Sequence, residues 1–187
     1  AELSYYNNEE CDLITRIPIT QEYGYKYRYA NGMNVRNTGV ELGLTGKLFS
    51  NPKGFNWDIS GSVAYNKNKI TKLPEGYGKL IYGNRKLQVG ESADRFWIYQ
   101  NAGIYGSDEE VSSQTGTKLS MNGIGFQKGD PKWKDMNGDN VISEADKVLT
   151  GHMLPPITGS FSTMLKYKRF DLAADFFFAV GHHALNY

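Results

Sequence analysis

The run "DMNGDNVISEAD", Asp135 to Asp146, holds side chains whose types and spacing suit a definite chemistry. Oxygen-bearing residues stand at Asp135, Asn137 and Asp139, followed by the Val141 carbonyl, Ser143 and Asp146. That is the order in which a calcium loop wraps ligands around a hard cation, with Ile142 at its hydrophobic position. Two positions depart from the strongest form of such a loop. The sixth is Asn140 where glycine usually permits a left-handed turn, and asparagine is the next best residue for it. The twelfth is Asp146 where glutamate is usual, so the shorter arm has less reach for two-oxygen ligation. The expected role is structural, at the millimolar calcium levels typical of extracellular modules. The alternative is a chain of Asx turns, in which Asp and Asn side chains accept hydrogen bonds from neighbouring backbone N–H groups.

Other chemistry is thinly represented. His152, His182 and His183 are the histidines, and no third ligand is placed to make a zinc site with them. His182–His183 reads as a solvated pair at a strand end. Cys11 is the single cysteine, which excludes an intrachain disulfide framework and cysteine-based zinc. There is no G-x-S-x-G elbow, P-loop or Rossmann fingerprint, so no enzyme is expected. A net charge of +1 excludes the electrostatic footprint of a nucleic-acid binder. Phe96, Trp97 and Tyr99 in "DRFWIYQ" could stack on a ligand or meet a partner; the favoured reading makes them the packing core of a loop region.

The helices that usually flank a calcium loop are missing. "KGDPKWK" precedes it, and Gly129 and Pro131 favour turning or extended chain. Composition points the same way, with 13 Tyr, 9 Phe, 3 Trp and 21 Gly. "FNWDISGSVAYN" alternates strictly: Phe55, Trp57, Ile59, Gly61, Val63 and Tyr65 lie on one face and small or polar residues on the other. The run is about twice the usual ~5–6 residue strand. Its aromatics sit at the ends with aliphatics between, the pattern of a strand crossing a bilayer within a barrel. "VELGLTGKLF", "FSTMLKY", "DLAADFFFAV" and, near the start, "YGYKYRYA" (Tyr23, Tyr25, Tyr27, Tyr29) alternate similarly. Alternation alone fits a soluble sandwich as well as a barrel; strand length and aromatic placement favour the barrel. Two connections are short, Ser50–Gly54 and Lys168–Arg169. One is very long, from about Lys67 to about Ile157, and it contains the calcium-like loop. The opening "AELSYYNNEE" has neither basic start nor apolar stretch, so no signal peptide is expected there.

Three segments in order, "RNTGVEL", "NKNKITKL" following "SVAY", and "GDPKWKDMNGD", resemble the SusC/RagA family, TonB-dependent outer-membrane transporters of Bacteroidetes. The resemblance implies an all-β antiparallel fold: part of a transmembrane β-barrel with a long extracellular loop region. It implies barrel strands and connections over 1–66, the loop region over 67–157 and a barrel hairpin over 158–187. The family's plug domain has no counterpart here, so the chain is expected to be a piece from the later part of the barrel. The implied function is import of glycan or peptide fragments across the bacterial outer membrane. Implied partners are a SusD-like surface lipoprotein, TonB (through the missing N-terminal part), an oligosaccharide or peptide substrate and outer-membrane lipid. The competing expectation is a soluble, calcium-stabilised β-domain that binds carbohydrate.

Overall fold

A computed structural model describes residues 1–20, 22, 24–51, 54–113 and 119–185. Tyr23, and Pro52 and Lys53 of the first short connection, lie outside the described residues. The chain divides into two compact units. The first comprises Ala1–Ile81, Lys86–Arg95 and Gly151–Tyr187, and the second Tyr82–Arg85 and Phe96–Thr150.

The first unit is built on five antiparallel strands: β1 (Glu2–Pro18), β2 (Tyr27–Phe49), β3 (Phe55–Lys72), β13 (Ile157–Tyr167) and β14 (Phe170–Val180), ordered β1-β2-β3-β13-β14. In an antiparallel ladder, residues directly opposite share a face. Val40, Tyr65, Ile157 and Val180 are therefore level with one another and with Tyr5. One step further along, Leu3, Leu42, Val63, Gly159 and Phe178 align, and below them Leu44, Gly61, Phe161 and Phe176. At the short-turn end Phe55, Tyr167 and Phe170 align beside Trp57 and Phe49. This face is bare: Phe170 is 79% exposed, Leu172 62% and Phe176 60%. Its polar member Thr163 is satisfied, accepting from the Trp57 indole N–H at 2.8 Å. The opposite face carries Ser4, Glu41, Asp58, Ser60, Ser62, Ser160, Ser162 and Asp175, with Phe177 as an exception.

Above the level of Tyr65 the faces exchange character. On the formerly apolar face, Asn7 meets Thr38 and Lys67, and next Glu9 meets Arg36 and Lys69. Thr38 donates to Asn7 at 3.3 Å and Arg36 pairs with Glu9 at 2.8 Å. On the other face Val35 and Ile70, directly opposite each other, are buried. Strands β13 and β14 end at the level of this exchange. From Phe55 to Tyr65 is ten residue-to-residue steps, or ~33 Å of strand, which a tilt of ~40° reduces to the ~25 Å height of a barrel's apolar band.

The structure corrects several boundaries. Strand β1 arises from a stretch with no clean alternation in the sequence. Tyr27 and Tyr29 belong to the upper end of β2, where Arg16 of β1 stacks over Tyr27 at 4.7 Å, and are not a separate strand. Strand β3 runs to Lys72, beyond the expected end near residue 66. The Lys168–Arg169 connection is a two-residue hairpin, with Lys168 at φ 56° supplying the left-handed turn.

The long connection holds short elements. Strands β4 (Lys79–Tyr82) and β5 (Arg85–Gln88) straddle the division between units. Within the second unit, β6 (Phe96–Tyr99) pairs with β12 (Lys147–Thr150), and β7 (Asn101–Ile104) with β10 (Pro131–Trp133). Strand β8 (Ser120–Met121) lies between β9 (Ile124–Gly125) and β11 (Val141–Ile142), and α1 spans Asp108–Ser113. Among the described residues of this unit, the buried apolar ones are Phe96, Trp97, Tyr105, Val111, Leu119 and Ile142. Among the described residues no helix is long and apolar enough to cross a membrane, which is silent about strands.

Candidate functional site

The Asp135–Asp146 loop lies wholly in the second unit. Its geometry follows from short side chains turning back onto the amides just ahead of them. The Asp135 carboxylate accepts from Gly138 N at 2.7 Å and from Asn140 N at 2.8 Å. Asn137 Oδ1 accepts from Asp139 N at 3.0 Å, and Asp139 Oδ1 accepts from Val141 N at 2.8 Å. Asn140 adopts φ 63° and Gly138 φ 77°, so asparagine does take the left-handed turn at the sixth position. Burial pushes the Asp135 carboxyl up, but the amides of Asn140, Gly138, Asn137 and Asp139 outweigh it and hold the pKa below its ordinary value.

Asp146 behaves differently. It is fully buried, and its two oxygens accept from Met136 N at 2.8 Å and Ser143 N at 2.7 Å. Ser143 and Asp146 form a reciprocal capping box on the short 3-10 turn Glu144–Asp146. Turning Asp146 toward an ion would strip two amides of their acceptor, so it closes the loop as a clasp and does not fit as a ligand. Asp135, Asn137 and Asp139 each keep a second lone pair and fit a hard cation, beside the Val141 carbonyl. Among the described residues no three His, Cys, Asp or Glu side chains gather as a ligand set.

The aromatic trio divides. Phe96 and Trp97 are adjacent and both buried, because both faces of β6 are covered, so they are unavailable as stacking platforms. Tyr99 is half-buried, tilted against Trp133 with ring centroids 5.8 Å apart and with the Lys147 ammonium 5.1 Å from its centre. These residues are packing.

A second cluster, unread in the sequence, lies in the first unit. The chain leaves for the second unit after Arg95 and returns at Gly151, and Asp94 joins the two sides of that neck. Its carboxylate accepts from the Ser92 hydroxyl, lies 3.2 Å from His152 Nδ1 and accepts from Leu154 N at 3.3 Å. Its carbonyl accepts from Met153 N at 2.8 Å. His183 is tied in as well, donating its backbone N–H to the His152 carbonyl at 2.6 Å. Its side chain stays exposed beyond the end of β14, as a solvated strand-end residue, while its backbone joins this cluster. Burial raises the Asp94 pKa, but the Ser92, His152 and Leu154 hydrogen bonds prevail and hold it below its ordinary value.

The known proteins that this chain resembles agree with one another. No family model matches it. It is 30% identical, along its full length, to TonB-dependent receptor P26 of Formosa agariphila, of which it covers 19%. It is 29% identical to receptor P3 of the same organism, with 98% of this chain and 19% of the relative aligned. TonB-dependent receptor SusC of Bacteroides thetaiotaomicron is 24% identical over 90% of this chain and 16% of its own. Among solved structures, the RagAB peptide transporter superposes with a TM-score of 0.73 at 25% identity, covering 96% of this chain and 19% of that one. The chain thus spans about a fifth of the length of the relatives it matches. Over nearly its whole length, it is homologous to one segment of the TonB-dependent receptors of the SusC/RagA type.

Proposed function

We propose that this chain forms a sector of the wall of a bacterial outer-membrane importer, a TonB-dependent receptor that takes up oligosaccharide or peptide fragments. It would work beneath a SusD-like surface lipoprotein and draw energy through TonB contacts made elsewhere in the protein. The observation that carries the reading is the bare apolar face of five strands, which turns polar at one level on the three strands that continue past it. A soluble carbohydrate-binding domain would have to cover that face, and hydrocarbon covers it without further protein. The unpaired outer edges of β1 and β14 then meet the other strands of a closed wall.

The test sets two neighbouring residues of β3 against each other. Ile59→Arg places a charge on the apolar face near the middle of the band, at a cost of about 2–4 kcal/mol in hydrocarbon. Ser60→Arg points to the opposite, polar face. In the intact protein, Ile59→Arg is expected to abolish outer-membrane assembly and uptake, while Ser60→Arg assembles. Equal assembly of both variants would refute the membrane assignment. Deletion of the gene should abolish uptake of peptides or of oligosaccharides, and unchanged uptake of both would refute import.

For the Asp135–Asp146 loop, we propose that calcium adds a weak structural brace to a turn its own hydrogen bonds already close. Asp135, Asn137, Asp139 and the Val141 carbonyl would hold it, with Asp146 kept as the clasp. So few protein ligands imply a Kd in the millimolar range of extracellular sites, about 10⁻⁴–10⁻³ M. Titration calorimetry should show binding that Asp139→Ala removes. No heat up to ten times that range would leave the loop as a hydrogen-bonded turn alone.

A further inference from the structure

The edge of β3 that faces β13 is occupied by two different segments with a gap between them. Strand β13 and its lead-in pair with β3 up to Asn66, whose N–H donates to the Pro156 carbonyl at 2.9 Å. Four residues on, Ile70 N donates to the Glu91 carbonyl at 2.8 Å and Gly90 N donates to the Ile70 carbonyl at 2.9 Å. In an antiparallel ladder every second residue turns its N–H and C=O to the same edge. Asn66 and Ile70 face this edge, so Asn68 between them does too. Among the described residues no strand pairs with Asn68 there.

A cavity of about 360 Å³ lies over this gap, lined by Lys67, Asn68 and Lys69 of β3, by Gly90, Glu91 and Ser92, and by Leu154, Pro155 and Pro156. All of it belongs to the first unit. Asn68 is held in place by its side chain: Oδ1 accepts from Ala93 N at 2.9 Å, and Nδ2 donates to Asn37 Oδ1 at 2.8 Å. The prolines bring apolar walls and no N–H of their own.

We propose that this gap binds a secondary amide, whose C=O accepts from Asn68 N–H and whose N–H donates to the Asn68 carbonyl. Such a group completes the ladder as an added strand would, over a single residue. A peptide bond or the acetamido group of an amino sugar can supply it. The proposal names the chemistry of a ligand for the importer read above and rests on that reading.

The test uses the intact protein in detergent and four probes: tetra-alanine, its N-methylated analogue, di-N-acetylchitobiose and cellobiose. Titration calorimetry reads affinity, and hydrogen exchange reads protection of the backbone over residues 66–70. At least one amide probe is expected to bind and to slow exchange there; which one does so identifies the source of the amide. If it is tetra-alanine, N-methylation should weaken binding about tenfold, the worth of one good hydrogen bond. Cellobiose should leave exchange over 66–70 unchanged. Binding of cellobiose equal to the amide probes, or no amide probe protecting 66–70, overturns the site. Uptake that persists in that case keeps the importer reading. Loss of the importer reading itself would show as unchanged uptake on gene deletion, whatever the exchange result.

Discussion

Asp94→Ala is expected to loosen the neck of the long connection and to lower the stability of the first unit by about 3 kcal/mol, as loss of charged hydrogen bonds in a largely buried setting does. The carboxylate is 14% exposed and gathers Ser92, His152 and the Leu154 amide at one point. Alanine leaves the Leu154 amide and the Ser92 hydroxyl to find water, and removes the counter-charge beside the imidazole. Asp94→Asn keeps one acceptor oxygen and should fall between alanine and wild type. Because the folded pKa of Asp94 is depressed, its contribution is complete above its ordinary value of 3.8 and fades as pH falls below that value. Wild type should therefore lose stability below about pH 4 more steeply than Asp94→Ala, which has no such carboxylate to protonate. Urea unfolding across pH 3–6, with exchange read over residues 91–95 and 151–156, checks both statements. An alanine variant with wild-type protection at the neck would remove Asp94 from this role.

Much of the sheet was legible because a sheet with one apolar and one polar face imposes its own pattern. Strands β13, β14 and the lower parts of β2 and β3 have one bare apolar face and one polar face, so period-2 alternation survives intact. Strand β1 was invisible for a local reason. Its register shifts between Glu10 and Leu13 and again between Leu13 and Thr15, with Asp12 at φ 56°, and each bulge resets the alternation. The upper part of β3 was missed because the faces exchange roles above Tyr65: Lys67 and Lys69 replace apolar residues, and Ile70 is buried on the side that had been polar.

The sites were legible only where they were local. The turns of the Asp135–Asp146 loop follow from side chains bonding amides two to five residues ahead, the Asx-turn alternative that the spacing left open. Spacing did not predict that Asp146 would spend both oxygens on amides, because that depends on how Met136 and Ser143 approach it. Asp94 and His152 are 58 residues apart, and no period or motif links them before the neck closes. Phe96 and Trp97 left stacking and packing both open in the sequence, with packing favoured, and a short strand covered on both faces buries the two neighbours alike.

Gly159→Ala should disrupt the junction of β3, β13 and β14. Gly159 lies opposite Val63 on one side and Phe178 on the other. A Cβ there would stand 2.3 Å from the Phe178 Cζ and 2.5 Å from the Ser62 carbonyl oxygen. The ring could swing away, since Phe178 is on the open apolar face, but the carbonyl belongs to β3 and is fixed by the ladder. Relief therefore requires the strands to part locally, at a cost of about 2–3 kcal/mol on overpacking precedent. Gly61→Ala supplies the control on the same face, because its nearest neighbour, the Ser160 carbonyl, would be 3.6 Å away, an ordinary contact. The intact protein carrying Gly159→Ala should assemble poorly and unfold at lower urea than wild type, whereas Gly61→Ala should match wild type. Adding Phe178→Ala should rescue little, because it frees the ring contact and leaves the backbone one. Full rescue by that second change would place the strain in the ring alone and refute the argument from the Ser62 carbonyl.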